Sequence, residues 1–283
     1  MKKALLLVLV LVVALTFCAC SVSETNEATT SPSASTEATE PAESPAESPE
    51  ETAESPAESP AESPAETTVL SYEEYMAAEL DSQVTVETYV QAKQSWWEET
   101  ATIYTQDQDG AYFVYNMACS QEDYEKLVPG TKIRVTGYKG EWSGEVEIMD
   151  ATFEFVEGGD TYVAEALDVT ELLASEELID HQNQKVSFKG MTVEAAGQDA
   201  DGNDVAFLYA WDGSGTDGDD LYFNASYNGE TYTFTIESDL CDNTTDVYAA
   251  VKALEIGQTI DMEGFLYWYE GVNPHITSVT VVE

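Results

Sequence analysis

The sequence predicts a mainly β fold built from two tandem units, each with five strands and a short helix. Two observations support this prediction. The chain after residue 68 is rich in Tyr, Val, Thr and Trp and is interrupted by Asp-Gly and Asn-Gly pairs, which is typical of strands joined by tight turns. The same part contains an internal repeat at a constant offset of 127 residues, carried by Gly130 and Gly257, Gly137 and Gly264, and Gly144 and Gly271.

The elements of the first unit follow from local patterns. Alternating apolar and polar residues predict strands, and Asp109-Gly110 predicts the turn of a hairpin. The predicted order is a helix at residues 71–80, strands at 84–90, 102–105 and 112–115, a short helix at 120–127, and strands at 133–138 and 145–155.

The second unit repeats this order. Asn228-Gly229 predicts the equivalent hairpin turn. The predicted elements are a helix at residues 169–181, strands at 186–193, 221–224 and 232–236, a helix at 244–254, and strands at 260–265 and 275–282. Residues 210–220 form an insertion where the first unit has only a short connection.

The order of three strands, a helix and two strands resembles the OB-fold, a five-stranded barrel with its helix between the third and fourth strands. The tandem arrangement resembles small secreted OB-like modules of bacterial lipoproteins. This resemblance implies two tandem OB-like five-stranded barrels, at residues 69–159 and 160–283. We expect the helix that precedes each barrel to plug one of its ends.

The N-terminus has the pattern of an export signal. Two lysines precede an apolar stretch at residues 4–17, which is shorter than the roughly 20 residues of a spanning helix. The following Phe17-Cys18-Ala19-Cys20-Ser21 resembles the lipobox of bacterial lipoproteins. The resemblance implies a signal peptide at residues 1–19 and lipidation of Cys20; the alternatives are an uncleaved anchor and a signal with ordinary cysteines.

Residues 20–68 are predicted to be a disordered stalk. Pro-Ala-Glu-Ser recurs there, and the segment after the cysteine has no aromatic residue with which to offset the entropy of ordering. We expect it to hold the folded part away from a membrane, although a Pro-rich ligand for a partner domain is the alternative. The predicted location is extracytoplasmic, at the cell surface, anchored through lipid.

The charge is strongly acidic. The chain has a net charge of −45 and a pI near 4.1. Binding to DNA or RNA depends on cationic contacts with phosphate, so the sequence predicts no nucleic acid partner. Acidic charge also disfavours electrostatic docking to anionic lipid, and membrane attachment is expected to come from the lipid anchor.

Few residues suggest catalysis. The two histidines, His181 and His275, fall in separate elements without a nucleophile motif nearby and are expected to be exposed or turn residues without a role. No phosphate-binding loop, Gly-x-Ser-x-Gly, His-Glu-x-x-His or Cys-x-x-Cys occurs. The sequence therefore predicts that the protein is not an enzyme.

Two further cysteines, Cys119 and Cys241, each follow the third strand of their unit. Equivalent positions predict an inherited packing role. A disulfide between them is the alternative, since the chain is predicted to be exported.

The insertion contains clustered acids on a Gly-rich loop. Such carboxylates can bind calcium, a hard cation, and a solvated acidic loop is the alternative. The candidate ligands are Asp212, Asp217, Asp219 and Asp220. No other cofactor is predicted.

Aromatic residues cluster near predicted turns. In OB-like barrels the loops that join strands one to two and four to five flank the binding face, where rings could stack on sugars or peptide side chains. Closing the barrel ends is the alternative role. The candidates are Trp96, Trp97, Trp142, Tyr267, Trp268 and Tyr269.

Two hypotheses for function follow from these observations. The first is a membrane-anchored, non-catalytic binding module for a neutral or cationic ligand, namely a glycan, a peptide or a surface protein. The second is a structural or assembly lipoprotein that recruits another envelope protein and has no small ligand.

Overall fold

The computed structural model describes residues 68–282. These residues form a mainly β fold with two closed five-stranded barrels and few short helices, as the sequence predicts. The proposed signal peptide at residues 1–19, Cys20 and nearly all of the stalk at residues 20–68 lie outside the described residues. Among residues 68–282, no helix has the length and apolar character needed to cross a membrane.

Barrel 1 closes in the order β1-β2-β3-β5-β4. Its strands are β1 (Gln83–Lys93), β2 (Thr100–Gln106), β3 (Ala111–Ala118), β4 (Lys132–Trp142) and β5 (Glu145–Phe155). Helix α1 (Tyr72–Ala77) precedes the barrel, and helix α2 (Gln121–Lys126) joins β3 to β4. This is the element order of an OB-fold.

Barrel 2 has the same order with additions. Its ring consists of β7 (Lys185–Glu194), β11 (Leu221–Tyr227), β12 (Glu230–Ile236), β13 (Thr259–Phe265) and β14 (His275–Val281), and α3 (Asp246–Lys252) joins β12 to β13. The short strands β6 (Leu167–Asp168) and β10 (Phe207–Tyr209) extend the sheet, while β8 (Gly197–Gln198) and β9 (Asp204–Val205) pair with each other.

The repeated glycines occupy equivalent backbone positions. Gly130 and Gly257 both have φ of +89°, where glycine is favoured, and their N–H groups donate to strand carbonyls at 2.8 Å. A Cβ at Gly137 would lie 2.7 Å from the carbonyl oxygen of Met149, and one at Gly264 would lie 2.2 Å from that of His275. Both positions adjoin an irregularity in the pairing of the fourth and fifth strands. Glycine recurs at both positions because a side chain there would collide with the backbone of the fifth strand.

Each barrel has its own hydrophobic core, and α1 closes barrel 1. Tyr75 of this helix is buried in the core, and Lys139 Nζ donates to the carbonyl oxygens of Met76 (2.7 Å) and Ala78 (3.0 Å) at the end of the helix. Ser71 and Glu74 form a capping box at its start. The predicted plug is therefore present in barrel 1.

The helix predicted at residues 169–181 is replaced by two 3₁₀ helices, Thr170–Leu172 and Glu176–His181. Ser175 accounts for the break, because its side chain accepts from the N–H of Glu177 at 3.1 Å and starts a new turn. Leu173 and Leu178 still belong to the core of barrel 2.

The insertion is longer than predicted, since residues 195–220 connect β7 to β11. Helix α3 fixes its end: the N–H of Gly218 donates to Tyr248 Oη (2.9 Å), which in turn donates to the carbonyl of Asp219 (2.8 Å). Lys252 of the same helix forms an ion pair with Asp217.

Both rings close through a short parallel seam. In barrel 1, β3 and β5 pair at Phe113 with Glu147 and at Val114 with Ile148. In barrel 2, β12 and β14 pair only at Thr235 with His275.

Candidate functional site

A cleft of about 580 Å³ lies between the two barrels. We call it the central cleft. Barrel 1 contributes Gln94, Phe113, Tyr115, Trp142, Glu147 and Met149, and barrel 2 contributes Asp220, Tyr222, Glu237, Tyr267, Tyr269, Asn273 and His275. The strand residues of barrel 1 lie on β3, at the end of β4 and on β5, and they face loops and strand ends of barrel 2.

Local structure places the rings of barrel 1. Phe113 and Tyr115 lie two residues apart on β3 and therefore project from the same face of the strand. Ser143 and Gly144 both have positive φ, at 52° and 94°, and form the tight turn after β4. Trp142 stands immediately before this turn with 61% of its surface exposed, so its ring is available at the rim.

Tyr267 forms the wall between the barrels. Its ring stacks on His275 with centroids 4.4 Å apart, and it meets the edge of Phe113 at 5.3 Å. Tyr269, at the repeat position equivalent to Trp142, is also exposed. The two rim rings therefore come from equivalent turns of the two barrels.

His275 is buried at the barrel interface, so the expectation that it is exposed is wrong. Its Nδ1 shares a hydrogen bond of 2.9 Å with Tyr104 Oη of barrel 1. Burial lowers the pKa of His275 to about 3, so the ring is neutral near pH 7. His181 is partly buried and its Nδ1 lies 3.1 Å from Gln184 Oε1.

Three carboxylates line the central cleft. Glu147 is only 5% exposed, and its side chain has no hydrogen bond or ion pair with any other described residue. Burial raises the pKa of Glu147 to about 7. Burial, followed by repulsion from Asp220 and Asp239, raises the pKa of Glu237 to about 7.

A further buried acid joins the two turns. Glu145 Oε2 accepts from the N–H of Trp268 at 2.9 Å, and the N–H of Glu270 donates to the carbonyl of Ser143 at 2.7 Å. Burial raises the pKa of Glu145 to about 8, and its Oε1 has no partner among the described residues. These contacts fix the turn of barrel 1 against that of barrel 2.

Positive charge is absent from the central cleft as the structure describes it. Of ten Lys and Arg residues, all but Lys2 and Lys3 lie in the described part. Lys93 and Lys139 donate to backbone carbonyls. The others form ion pairs away from the cleft: Lys126, Lys132, Arg134, Lys185, Lys189 and Lys252.

The cleft continues on both sides. A neighbouring pocket of about 600 Å³ shares Gln94 and Tyr115 with it and contains Trp96 and Trp97. Two more pockets, of about 350 and 400 Å³, share Tyr222 with the cleft and contain Trp211. Together these four depressions form what we call the inter-barrel groove.

The structure divides the predicted aromatic residues into two sets. Trp97, Trp142 and Tyr269 expose their rings along the groove, and Tyr267 forms its wall. Trp96 is partly buried and its Nε1 donates to the carbonyl of Cys119 at 2.8 Å. Trp268 packs against the core of barrel 2 and does not line the groove.

Sequence reasoning missed several groove residues. Tyr115 and Tyr222 lie on predicted strands, and their alternation with core residues was the available signal. Glu147 and Glu237 carried no signal, because nothing distinguishes them among 55 acidic residues. Trp211 has a signal in the sequence, because it is an aromatic residue in the insertion, but it is not among the predicted binding residues.

The predicted calcium ligands do not converge. Within residues 68–282, no group of three or more His, Cys, Asp or Glu side chains is arranged to hold a metal ion. Asp217 pairs with Lys252, and the other three carboxylates accept from nearby N–H groups, those of Ser214 for Asp212, Thr216 for Asp219 and Ser238 for Asp220.

Cys119 and Cys241 are free, buried thiols in separate barrel cores. Burial raises the pKa of each to about 11. The packing role predicted for them agrees with these positions.

No protein-family model matches the chain, and no curated protein matches it. Similar solved structures do exist. The structure of the p204 HINb domain is 10% identical, with a TM-score of 0.33, over 69% of this chain and 95% of that chain. A murine DNA binding protein bound with ds DNA is 10% identical, with a TM-score of 0.33, over 70% of this chain and 96% of that chain.

A third structure is the Ifi202 HINa domain in complex with 20bp dsDNA. It is 13% identical, with a TM-score of 0.31, over 72% of this chain and 96% of that chain. At these identities the likeness concerns the fold alone.

The exclusion of nucleic acid as a partner, which rested on charge, is corrected by these structures. Two of the three are complexes with double-stranded DNA. Binding of DNA is a property of those proteins. Net charge alone is an insufficient reason to remove nucleic acid from the ligands to be tested for this chain.

Proposed function

We propose that the inter-barrel groove binds a neutral or cationic ligand and that the chain acts as a non-catalytic binding module for a glycan, a peptide or a surface protein. One observation carries this proposal: Trp142 and Tyr269 present exposed rings from equivalent turns and line the same cleft as the carboxylate of Glu147. Concave sites with aromatic walls and a few fixed polar groups are the usual form of ligand sites.

The rigidity of the groove supports the same proposal. The turn contacts of Glu145 and Glu270, and the stacking of Tyr267 on His275, hold the two walls in place before a ligand arrives. A site that is already ordered loses less conformational entropy on binding.

A non-catalytic role fits the chemistry of the described residues. His275 is neutral and buried, with its Nδ1 bonded to Tyr104. The thiols of Cys119 and Cys241 lie in the barrel cores, with pKa values of about 11. The thiols are therefore not placed to attack a ligand in the groove, and the hydrogen bond to Tyr104 already occupies Nδ1 of His275.

We also propose that the binding module is displayed outside the cell on a lipidated Cys20, behind the Pro-Ala-Glu-Ser stalk. Radiolabelled palmitate should enter the wild-type chain and not the Cys20→Ala variant. Recovery of unacylated, full-length wild-type chain from the cytosol would contradict this proposal.

The groove is tested with Trp142→Ala and Tyr269→Ala in the full-length chain. Binding is measured on a glycan array, on a peptide array, in a pulldown of surface proteins and with single- and double-stranded DNA. We expect retention of a glycan, peptide or protein that both variants lose while their melting temperatures stay unchanged.

Glu141→Ala is the matched control, since this exposed residue adjoins Trp142 and does not line the groove. Binding that survives both aromatic substitutions would place the ligand elsewhere. Retention of DNA alone would overturn the assignment of a neutral or cationic ligand. Capture of a partner protein that is indifferent to the groove variants would instead favour an assembly role.

A further inference from the structure

We propose that the central cleft receives the side chain of a lysine or arginine from a peptide ligand, with its cationic head beside the carboxylate of Glu147. This inference rests on the proposed function of the groove and goes beyond it by naming the chemistry of the ligand.

The state of Glu147 is the first argument. As a residue Glu147 is only 5% exposed, it lines the central cleft, and no described residue donates a hydrogen bond to its carboxylate or forms an ion pair with it. A buried carboxylate without a partner is costly, and natural proteins usually satisfy such groups. An ammonium or guanidinium group in the cleft would supply the missing donors and the opposite charge.

The charge of the surroundings is the second argument. Asp220 and Glu237 line the same cleft, and every described lysine and arginine is engaged elsewhere. His275, the histidine that lines the cleft, is neutral. The cleft is therefore an acidic site that no cation of the described chain compensates.

The rings are the third argument. Four aromatic residues line the same cleft as the carboxylates: Tyr115, Trp142, Tyr267 and Tyr269. The negative face of an aromatic ring attracts Lys and Arg head groups. Phe113 and Met149 add apolar surface, along which the methylene stem of such a side chain can pack.

The shape of the groove favours a peptide as the carrier. The pocket of Trp96 and Trp97 adjoins the central cleft at Gln94 and Tyr115, and the two pockets of Trp211 adjoin it at Tyr222. An extended chain that crosses the cleft would place one side chain in it and lay its neighbours in the flanking pockets.

The test uses the full-length chain and short Gly-Ser peptides, each with one central residue. The central residue is Lys, Arg, norleucine or citrulline, so that each cation has a neutral partner of similar shape. A separate arm uses oligomers of glucosamine and of N-acetylglucosamine, which carry and lack an ammonium group. Binding is followed through the NMR signal of the methyl group of Met149, a residue that lines the cleft.

We expect the Lys and Arg peptides to bind about tenfold or more tightly than their neutral partners, since a hydrogen bond to a charged group contributes about that factor. Glu147→Gln should remove this preference. Glu141→Gln, which removes an exposed carboxylate outside the cleft, should retain it.

Other results overturn the inference in distinguishable ways. Equal binding of charged and neutral peptides would reject the cation and leave the groove as a binding site. Preference for glucosamine oligomers over every peptide would reject the peptide carrier. Absence of binding by any peptide, while a glycan still requires Trp142, would reject the inference alone; loss of that glycan dependence as well would reject the proposed function.

Discussion

The two barrels share the backbone geometry around the fourth strand and differ in the length of the loop between the first two strands. In both, the glycine before the fourth strand has a positive φ, and the glycine within that strand lies where a side chain would strike backbone. The connection from the first to the second strand, by contrast, covers residues 94–99 in barrel 1 and residues 195–220 in barrel 2. Backbone geometry persists through the duplication, and the loops that line the groove diverge.

The helices between the third and fourth strands also differ between the two barrels. Helix α2 buries none of its residues, whereas α3 buries Val247, Tyr248 and Val251. The difference has a structural reason, because Tyr248 and Lys252 hold the long insertion. Barrel 2 thus uses its helix to organise the loop that contributes to the groove.

The largest effect is expected from Gly264→Ala. The new Cβ would lie 2.2 Å from the carbonyl oxygen of His275, which is backbone and cannot move aside. We expect a loss of about 3 kcal/mol or more in the free energy of unfolding, and Gly137→Ala should cost somewhat less. Urea denaturation measures both.

Gly257→Ala sharpens this comparison within barrel 2. Its φ of +89° disfavours alanine, but nothing lies within 4 Å of the new Cβ. The expected loss is about 1 kcal/mol. Equal losses at Gly257 and Gly264 would show that backbone conformation, and not a collision with the neighbouring strand, explains why these glycines are repeated.

The second effect concerns pH. Glu145, Glu147 and Glu237 have pKa values raised to about 8, 7 and 7, so the folded chain holds these protons more tightly than the unfolded chain does. The contribution of these three groups to stability is therefore fully present below the usual glutamate pKa of about 4.5 and is lost as pH rises toward 8. We expect the melting temperature to fall by about 5–10 °C between pH 5 and pH 8.

Glu147→Gln separates this effect from general repulsion among surface acids. Barrel 2 has Val272 and Pro274 at the positions equivalent to Glu145 and Glu147, so much of the effect should originate in barrel 1. The variant should flatten the pH profile, and Glu141→Gln should not. An unchanged profile in Glu147→Gln would mean that this carboxyl titrates normally.

The third effect contrasts neighbouring aromatic residues. Trp268→Ala should cost about 2 kcal/mol, because the ring packs against the core of barrel 2. Trp142→Ala should change stability by less than about 0.5 kcal/mol, since its ring is exposed. Thermal unfolding of both variants tests this, and a large loss in Trp142→Ala would assign that ring a structural role.

A smaller loss than that of Trp268→Ala is expected from Tyr248→Phe. This change removes the hydroxyl that bonds to Gly218 and Asp219 and should cost about 1 kcal/mol. Tyr124→Phe in α2, whose hydroxyl donates to Gln94, is the control in barrel 1. Limited proteolysis should cut residues 195–220 faster in Tyr248→Phe and leave the control unaffected.

The sequence was sufficient to predict the fold because its signals are local. Alternation within β1 and β7, the turn at Asn228-Gly229 and the repeated glycines each depend on a few neighbouring residues. The prediction of a continuous helix at residues 169–181 is wrong for a local reason as well. The hydroxyl of Ser175 accepts from the backbone N–H of Glu177, which a continuous helix would use.

The groove could be predicted only in part. Trp142 and Tyr269 were identified from their turns, whereas Glu147 became notable only once packing removed it from water. Trp268 resembles its neighbours in sequence, and its burial depends on how the two turns meet. The acids of the insertion suggested a metal, but Asp217 serves to pair with Lys252.

The parallel seams of the two rings have a further consequence. They are the places where fewest backbone pairs join neighbouring strands, and Phe113, Glu147 and His275 at these seams all face the groove. Local opening should begin there, and amide hydrogens of these residues should exchange with solvent sooner than those in the long antiparallel pairs. A ligand bound in the groove would contact residues at the seams of both barrels and should slow this hydrogen exchange in both.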